Sequence, residues 1–312
     1  MLMLNTVEII DDPLWYYDQG FSDLITPNEK DDAHPMRKVK EGRWRIFCCP
    51  TLIDQLVERV LFTDANNAVK YDYPHSGATI GIGFTDEQTT EFCNNIKDNN
   101  DMNHVKYSDV KGWEISVGRD YIKITADSVN DNMINKENTK HANAIRTHAL
   151  KITNPLYVVA DKDIYYLWKR GQPGGIISGS FVTTLYNTIA RLDVSYTAGA
   201  DEATAAGDDC IERVEKTLDQ HREAYANLGY VLRDLVKSPP GQINFCSHTM
   251  KEVEPRKWKS TLDSWDKLLF NTLSKKITPE RFSGFVYELT NSDRKDELIS
   301  ALQKYGTFSD VA

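Results

Sequence analysis

The run of patterns between residues 171 and 212 constrains the fold more than any other part of this chain. A glycine-rich loop, GQPGGIISGS, opens a long helix over FVTTLYNTIARLDVSYTAG, and ATAAGDDCIE then reads as strand, turn, strand. Other stretches mix helix and strand in the same irregular way. PLYVVA and DIYYLW read as a strand pair around a turn at Asp161-Lys162. TLIDQLVERVLF carries Leu52, Leu56, Val57, Val60 and Leu61 on one helical stripe, behind a Thr51–Asp54 pattern that resembles a capping box. Helices and strands that do not strictly alternate argue for an α+β fold over a doubly wound parallel sheet.

The remaining segments fill in the order. Residues 1–30 are acidic and aromatic-rich, with DDPLWYYDQG as a turn region, and residues 74–86, PHSGATIGIGFTD, read as loop. EQTTEFCNNI is a helix, residues 95–104 are loop, and residues 104–109 form a short strand with Val105, Tyr107 and Asp109 on one face. A further helix is expected over CIERVEKTLDQHREAYANLG, overlapping the hairpin, and a strand over QINFCSH. From Pro255 onward the pattern reads as helical, with WKSTLDSWDKLLFNTL and ELISALQKY forming a small C-terminal subdomain.

Composition narrows the function classes. With 312 residues, 40% hydrophobic and 27% charged, the chain can bury a sizeable core. No apolar run approaches the roughly 20 residues of a membrane-spanning helix, and MLMLNTVEIIDD lacks the basic start of a secretory signal. A soluble cytosolic chain is expected, with peripheral membrane attachment through partners left open. Five cysteines with no C-x-x-C pair argue against a disulfide framework or zinc knuckle, and His141 and His148 lack helical zinc spacing. A net charge of −9 opposes nucleic-acid binding by the chain as a whole. Residues 36–45, MRKVKEGRWR, reverse that locally: Arg37, Lys38, Lys40, Arg43 and Arg45 face a single Glu41. Such a strip is either a focused anion site or a solvated basic face.

Three further segments carry candidate chemistry. Gly207-Asp208-Asp209 makes a good tight turn, and alone it reads more readily as a turn than as a site. Phosphoryl transfer with two divalent ions about 3.5–4 Å apart needs carboxylates from at least two segments. Asp109, at the end of its strand and five residues before Glu114, is the candidate second acid; by itself it too reads as a turn former. Ser178-Gly179-x-x-x-Thr183-x-x-x-Asn187 puts Thr183 and Asn187 on one helix face, where polar groups could read a ribose hydroxyl; for Ser178 alone a helix cap is the simpler reading.

S-G-x-x-x-T-x-x-x-N followed about twenty residues later by G-D-D resembles motifs B and C of viral RNA-dependent RNA polymerases, most closely those of sobemoviruses and poleroviruses. SGSFVTTLYNTIARLDVSYTAGADEATAAGDDCIE, HPMRKVKEGRWRIF, LIDQLVERVLF, GIGFTDEQ, YANLGY, FCSH and WDKLLFNTL are similar to that group, in the same order, from about residue 34 to 275. The resemblance implies a right-hand polymerase with palm, fingers and thumb: fingers at 1–100 (motif F at 34–46) and 126–174, palm at 101–125 and 175–250, thumb at 251–312. It implies that Asp109, Asp208 and Asp209 bind two Mg2+ or Mn2+ ions. Lys38, Lys40, Arg43 and Arg45 would grip the triphosphate, and Ser178, Gly179, Thr183 and Asn187 would position the template and check the 2′-hydroxyl together with Glu114. Tyr225–Gly229 resembles motif D, which makes Lys237 the candidate general acid, and Phe245, Cys246 and Ser247 resemble the primer-supporting motif E. The implied partners are RNA template, nascent strand, nucleoside triphosphates and other replicase proteins, in host cytoplasm at membrane-associated replication complexes.

Two departures stand out: Glu114 occupies a position where the group carries Asp, and little sequence precedes motif F, so reduced fingers are expected. The expected activity is RNA-templated RNA synthesis replicating a positive-strand genome. The alternative is a degenerate or truncated polymerase domain that binds RNA or a partner. A reverse transcriptase fits less well, since Ala206-Gly207 stands where those enzymes carry an aromatic residue.

Overall fold

Residues 9–18, 24–30, 33–34, 36–73, 75–133 and 137–305 are described by the structure, a computed structural model. The chain divides into two units, one comprising residues 1–29, 46–82 and 104–237, the other residues 30–45, 83–103 and 238–312.

In the first unit, β1 (Leu24–Glu29) lies between β2 (Ile46–Cys49) and β4 (Leu156–Asp161), and β5 (Ile164–Lys169) closes the order β2-β1-β4-β5. β4 and β5 form the expected hairpin, with Asp161 paired to Ile164, so the turn is Lys162-Asp163, one residue later than expected. Lys162 takes a positive φ of 54° there. A second sheet has the order β6-β7-β3-β8, built from β3 (Val105–Val110), β6 (Glu202–Ala206), β7 (Asp209–Arg213) and β8 (Leu232–Lys237), all antiparallel. Helices Leu52–Tyr71, Arg119–Asp131, Thr139–Thr153 and Thr183–Thr197 surround one core that includes Leu61, Phe62, Trp113, Ile122, Ile145, Leu185 and Tyr186.

In the second unit, helix Asp86–Asn99 packs on a meander of β9 (Gln242–Phe245), β10 (His248–Glu254) and β11 (Lys257–Leu262). Helices Trp265–Leu273, Pro279–Glu288 and Lys295–Tyr305 share a separate cluster around Phe282, Phe285, Leu289, Leu298 and Leu302.

Several sequence expectations are corrected. Residues 13–18 are helical, where a turn region was expected; the Gln19-Gly20 end of that region and residues 1–8 lie outside the described residues. The helix expected to overlap the hairpin begins only at Leu218, because Cys210–Arg213 belong to β7 of the second sheet and Thr217 starts the helix with a capping box to Gln220. Residues 257–262 are a strand, not helix: Trp258 and Ser260 alternate inward against β10. On helix Leu52–Tyr71, Thr51 caps Asp54 as expected, but Leu52 and Val60 are exposed and Glu58 lies buried beside Val57, Leu61 and Phe62. On β3, Val105, Tyr107 and Asp109 share a face as expected, while the alternate positions Lys106 and Ser108 are buried polar residues.

Candidate active site

The hairpin between β6 and β7 closes on the pair Ala206↔Asp209, so its loop is two residues, Gly207-Asp208. Such a loop needs a positive φ at its first position, which Gly207 supplies at +67°. Asp208 therefore sits exposed at the tip and Asp209 opens β7. In the neighbouring ladder Ser108 pairs with Cys210. Asp109 and Asp209 are the next residues toward the same end of those strands. Alternation sends both to the face of Tyr107 and Ile211. Two carboxylate-bearing segments, 100 residues apart in sequence, thus meet at one end of one sheet.

The turn is held from behind by helix Thr183–Thr197. The Gly207 N–H donates to Thr188 Oγ1 at 2.8 Å, and Arg191 Nε donates to the Asp208 carbonyl at 3.2 Å. Arg191 is fully buried, as is Glu212. Its guanidinium also donates to Ser108 Oγ and Tyr225 Oη, while Glu212 accepts from Ser195, Ser108 and Tyr225, with His221 Nε2 at 3.3 Å. Burial alone would raise the Glu212 carboxyl. Arg191 and the hydrogen bonds reverse that and hold it at about 2. Burial works against the charge on Arg191 too, but Cys210, Tyr225 and Glu212 around it push its pKa up, so both groups are ionised. Sequence reasoning missed this network. Its available signal was Asn187, Arg191 and Ser195 at i, i+4 and i+8 on an otherwise apolar helix.

The glycine-rich loop is anchored at both ends. Ser178 Oγ accepts from the Cys48 N–H at 3.0 Å and the Gly179 N–H donates to the Cys48 carbonyl at 2.8 Å. A Cβ on Gly179 would meet that carbonyl oxygen at 2.4 Å, so backbone approach requires glycine. Ser180 Oγ and the Phe181 N–H donate to Glu58, each at 2.7 Å, and His148 Nε2 lies 3.0 Å from the same carboxylate. Burial works against the charge on Glu58, yet these partners lower its pKa. Thr183 Oγ1 donates to the Ile177 and Ser180 carbonyls, which commits its hydroxyl to shaping the loop. Asn187 is 5% exposed, and its Oδ1 has no hydrogen-bond partner among the described residues. Glu114 is exposed on the short helix Trp113–Ser116, and its carbonyl accepts from Ile176 N–H at 2.8 Å.

Asp109 carries a partner that sequence reasoning did not anticipate. Arg233, on β8 at the bulge opposite Asp109, donates to the Asp109 carboxylate and lies 3.0 Å from Asp234. Lys237 is not brought to this end of the sheet. It pairs with Lys106, three residues down β3 from Asp109, or about 10 Å at the usual strand rise. As a test of metal fit, Asp109, Asp208 and Asp209 offer hard carboxylate oxygens suited to magnesium or manganese. Asp109 already accommodates one positive charge, that of Arg233. Among the described residues no three His, Cys, Asp or Glu side chains are gathered as a cage. The donors fit the ions; their side chains are not converged while Arg233 holds Asp109.

The second unit carries the other candidates. Lys38 and Lys40 lie on helix Met36–Lys40, Arg43 pairs with Glu41, and the Arg45 N–H donates to His34 Nε2 at 3.0 Å. Phe245 is buried and stacks on Phe92 with centroids 5.3 Å apart, and Cys246 and Ser247 form the β9–β10 turn with φ of 49° and 58°.

Comparison with known proteins follows the same lines. The family described as viral RNA-dependent RNA polymerase matches residues 20–266. The replicase polyprotein P2AB of Southern cowpea mosaic virus is 28% identical over 269 residues, 84% of this chain and 27% of that protein. Protein P1-P2 of potato leafroll virus (strain Potato/Scotland/strain 1/1984) is 31% identical over 247 residues, 75% of this chain and 22% of that protein. The chain thus spans about a quarter of the length of these relatives. A Sicinivirus 3Dpol RNA-dependent RNA polymerase structure superposes with a TM-score of 0.71 over 97% of this chain and 65% of its own, at 14% identity, which speaks for the fold alone.

Proposed function

Because the chain belongs to the viral RNA-dependent RNA polymerase family and has its α+β right-hand fold, we propose that it synthesises RNA on an RNA template by nucleotidyl transfer, replicating a positive-strand viral genome. The observation that supports this most is the β3–β7 register, which sets Asp109 beside Gly207-Asp208-Asp209. In this reading residues 101–125 and 175–250 are palm, 1–100 and 126–174 fingers, and 251–312 thumb.

Asp109 and Asp208 hold the ions and Asp209 supports them. Two magnesium or manganese ions would activate the attacking ribose hydroxyl and stabilise the leaving pyrophosphate. Thr188 and Arg191 fix the backbone of the Gly207-Asp208 turn, while the Asp109 carboxylate must leave Arg233 before it can take an ion. Lys38, Lys40, Arg43 and Arg45 grip the triphosphate, the arginines through bidentate forks. Ser178, Gly179 and Thr183 form the template-positioning loop. Asn187, whose buried Oδ1 has no partner among the described residues, reads the 2′-hydroxyl with Glu114. Lys237 is the candidate proton donor to pyrophosphate from the resemblance alone, since its pairing with Lys106 sets it three residues along β3 from Asp109. Phe245, Cys246 and Ser247 support the primer strand. The partners are template and nascent RNA, nucleoside triphosphates and other replicase proteins, at membrane-associated sites in host cytoplasm; among the described residues no helix is long and apolar enough to cross a membrane.

Primer extension with and without Mn2+, comparing the wild type with Asp208→Ala, tests the reading. Loss of incorporation in the variant is expected, on the order of 10²-fold or more for a group that stabilises transition-state charge. Equal activity of the two would overturn it. The hold of Arg233 on Asp109, together with Glu114, favours a second reading, an impaired domain that binds RNA without copying it. Retention of RNA on a filter with no incorporation under any metal would select that one.

A further inference from the structure

The edge of the β2-β1-β4-β5 sheet is unusual. All six residues of β5, Ile164-Tyr-Tyr-Leu-Trp-Lys169, are exposed, and five are apolar or aromatic. Tyr165, Leu167 and Trp168 are 71%, 63% and 55% exposed. β5 has β4 on one side and no strand on the other among the described residues. Soluble proteins ordinarily blunt such an edge with charges, proline or a covering element, because its open N–H and C=O groups template another strand.

We propose that β5 is a self-association surface, with two copies of this chain joined by an antiparallel β5–β5 pair centred on Tyr166. Two independent features select this occupant and this register. The first is backbone parity. The Lys162-Asp163 loop closes on the pair Asp161↔Ile164. A two-residue hairpin closes on a hydrogen-bonded pair, and such pairs alternate along the ladder. Ile164, Tyr166 and Trp168 therefore bond inward to β4, while Tyr165, Leu167 and Lys169 turn their N–H and C=O groups to the open edge. A pair centred on Tyr166 sets Tyr165 opposite the partner's Leu167, and Leu167 opposite the partner's Tyr165, so outward groups meet outward groups.

The second feature is charge. The same centre places Asp163 opposite the partner's Lys169, once at each end of the pair, with only apolar and aromatic residues between. Shifting the centre to Tyr165 or Leu167 keeps the parity but loses both ion pairs. A single-stranded nucleic acid suits this edge less well, since a backbone-tracking site needs aligned cations. Lys162 lies between Asp161 and Asp163, and Arg170 spends its guanidinium on the Gly174 and Ile115 carbonyls at 2.6 and 2.9 Å.

Sedimentation velocity over a concentration series tests the proposal by charge exchange at exposed positions. The wild type is expected to show a concentration-dependent dimer. Asp163→Lys and Lys169→Asp should each weaken it about tenfold or more, because two attractive cross-strand pairs become repulsive. The double exchange Asp163→Lys/Lys169→Asp should restore it, with thermal unfolding of all four proteins unchanged at dilutions where each is monomeric. A wild type that stays monomeric throughout, a dimer indifferent to either exchange, or an unrescued double exchange would each overturn the proposal. A monomer whose grip on a single-stranded oligoribonucleotide weakens in Tyr166→Ala would assign the edge to RNA instead.

Discussion

Arg191→Met removes the guanidinium at the centre of the buried network while keeping an unbranched side chain. The size of the effect follows from Glu212. Its carboxyl is held at about 2 in the fold against an ordinary 4.5. A folded value below the unfolded one means that the ionised carboxylate stabilises the fold at every pH above the unfolded value. That contribution is about 3 kcal/mol, and it is lost as pH falls from the unfolded toward the folded value. Without Arg191 the carboxylate stays buried with its hydrogen-bond partners but no guanidinium, and breaking such a pair costs about 3–5 kcal/mol. That is a large share of the roughly 5–15 kcal/mol of a typical domain. Urea unfolding followed by tryptophan fluorescence at neutral pH reads this loss directly. Arg191→Met/Glu212→Met removes both charges and should recover more than half of it. The recovered protein should still incorporate nucleotides poorly, because nothing then holds the Asp208 carbonyl. A single variant that loses less than about 1 kcal/mol, or a double variant whose cost is the sum of the singles, would refute the reasoning.

Three other outcomes are expected. Arg233→Gln should bind Mn2+ several-fold more tightly, read by the free-ion paramagnetic resonance signal, because the ion no longer displaces a guanidinium from Asp109; weaker or unchanged binding would show that the ion pair does not compete. Glu58→Gln should cost about 1–3 kcal/mol, since a buried carboxylate with three partners loses acceptor capacity. Because the folded Glu58 pKa is lowered, that contribution is present above the ordinary carboxylate range and fades on acidification, so the wild-type and variant unfolding midpoints should converge toward low pH. Gly179→Ala should destabilise by about 1–3 kcal/mol, as expected when a side chain is forced into a filled space, and should slow incorporation by moving the Ser178–Thr183 loop off Cys48.

Much of the site was legible before the fold. Gly207-Asp208-Asp209 reads as a tight turn because glycine tolerates the positive φ it needs, and Ser178 to Asn187 reads as loop then helix from composition and spacing. Other features were not legible, for identifiable reasons. β8 and β11 contain Arg, Lys, Asp and Ser at positions that alternation alone cannot sort, and their pairing to β3 and β10 decides them. Glu58 hides inside an apolar helical stripe, where a charged residue looks like the solvated side until the loop that it anchors is in place.

Local chemistry along the chain was enough to determine the α+β class, the hairpin that carries Asp208 and Asp209, and the helix that follows the glycine-rich loop, since these depend on neighbours a few residues apart. Tertiary structure alone decided which charges meet. Arg191 with Glu212, Asp109 with Arg233, and Glu58 with His148 are separated by 21, 124 and 90 residues. No periodicity links such distant positions; the β3–β7–β8 register and the packing of helix Thr183–Thr197 bring the first two pairs together. The physical reason is that backbone preferences act over one or two turns, whereas the free energy of a buried ion depends on every group packed around it.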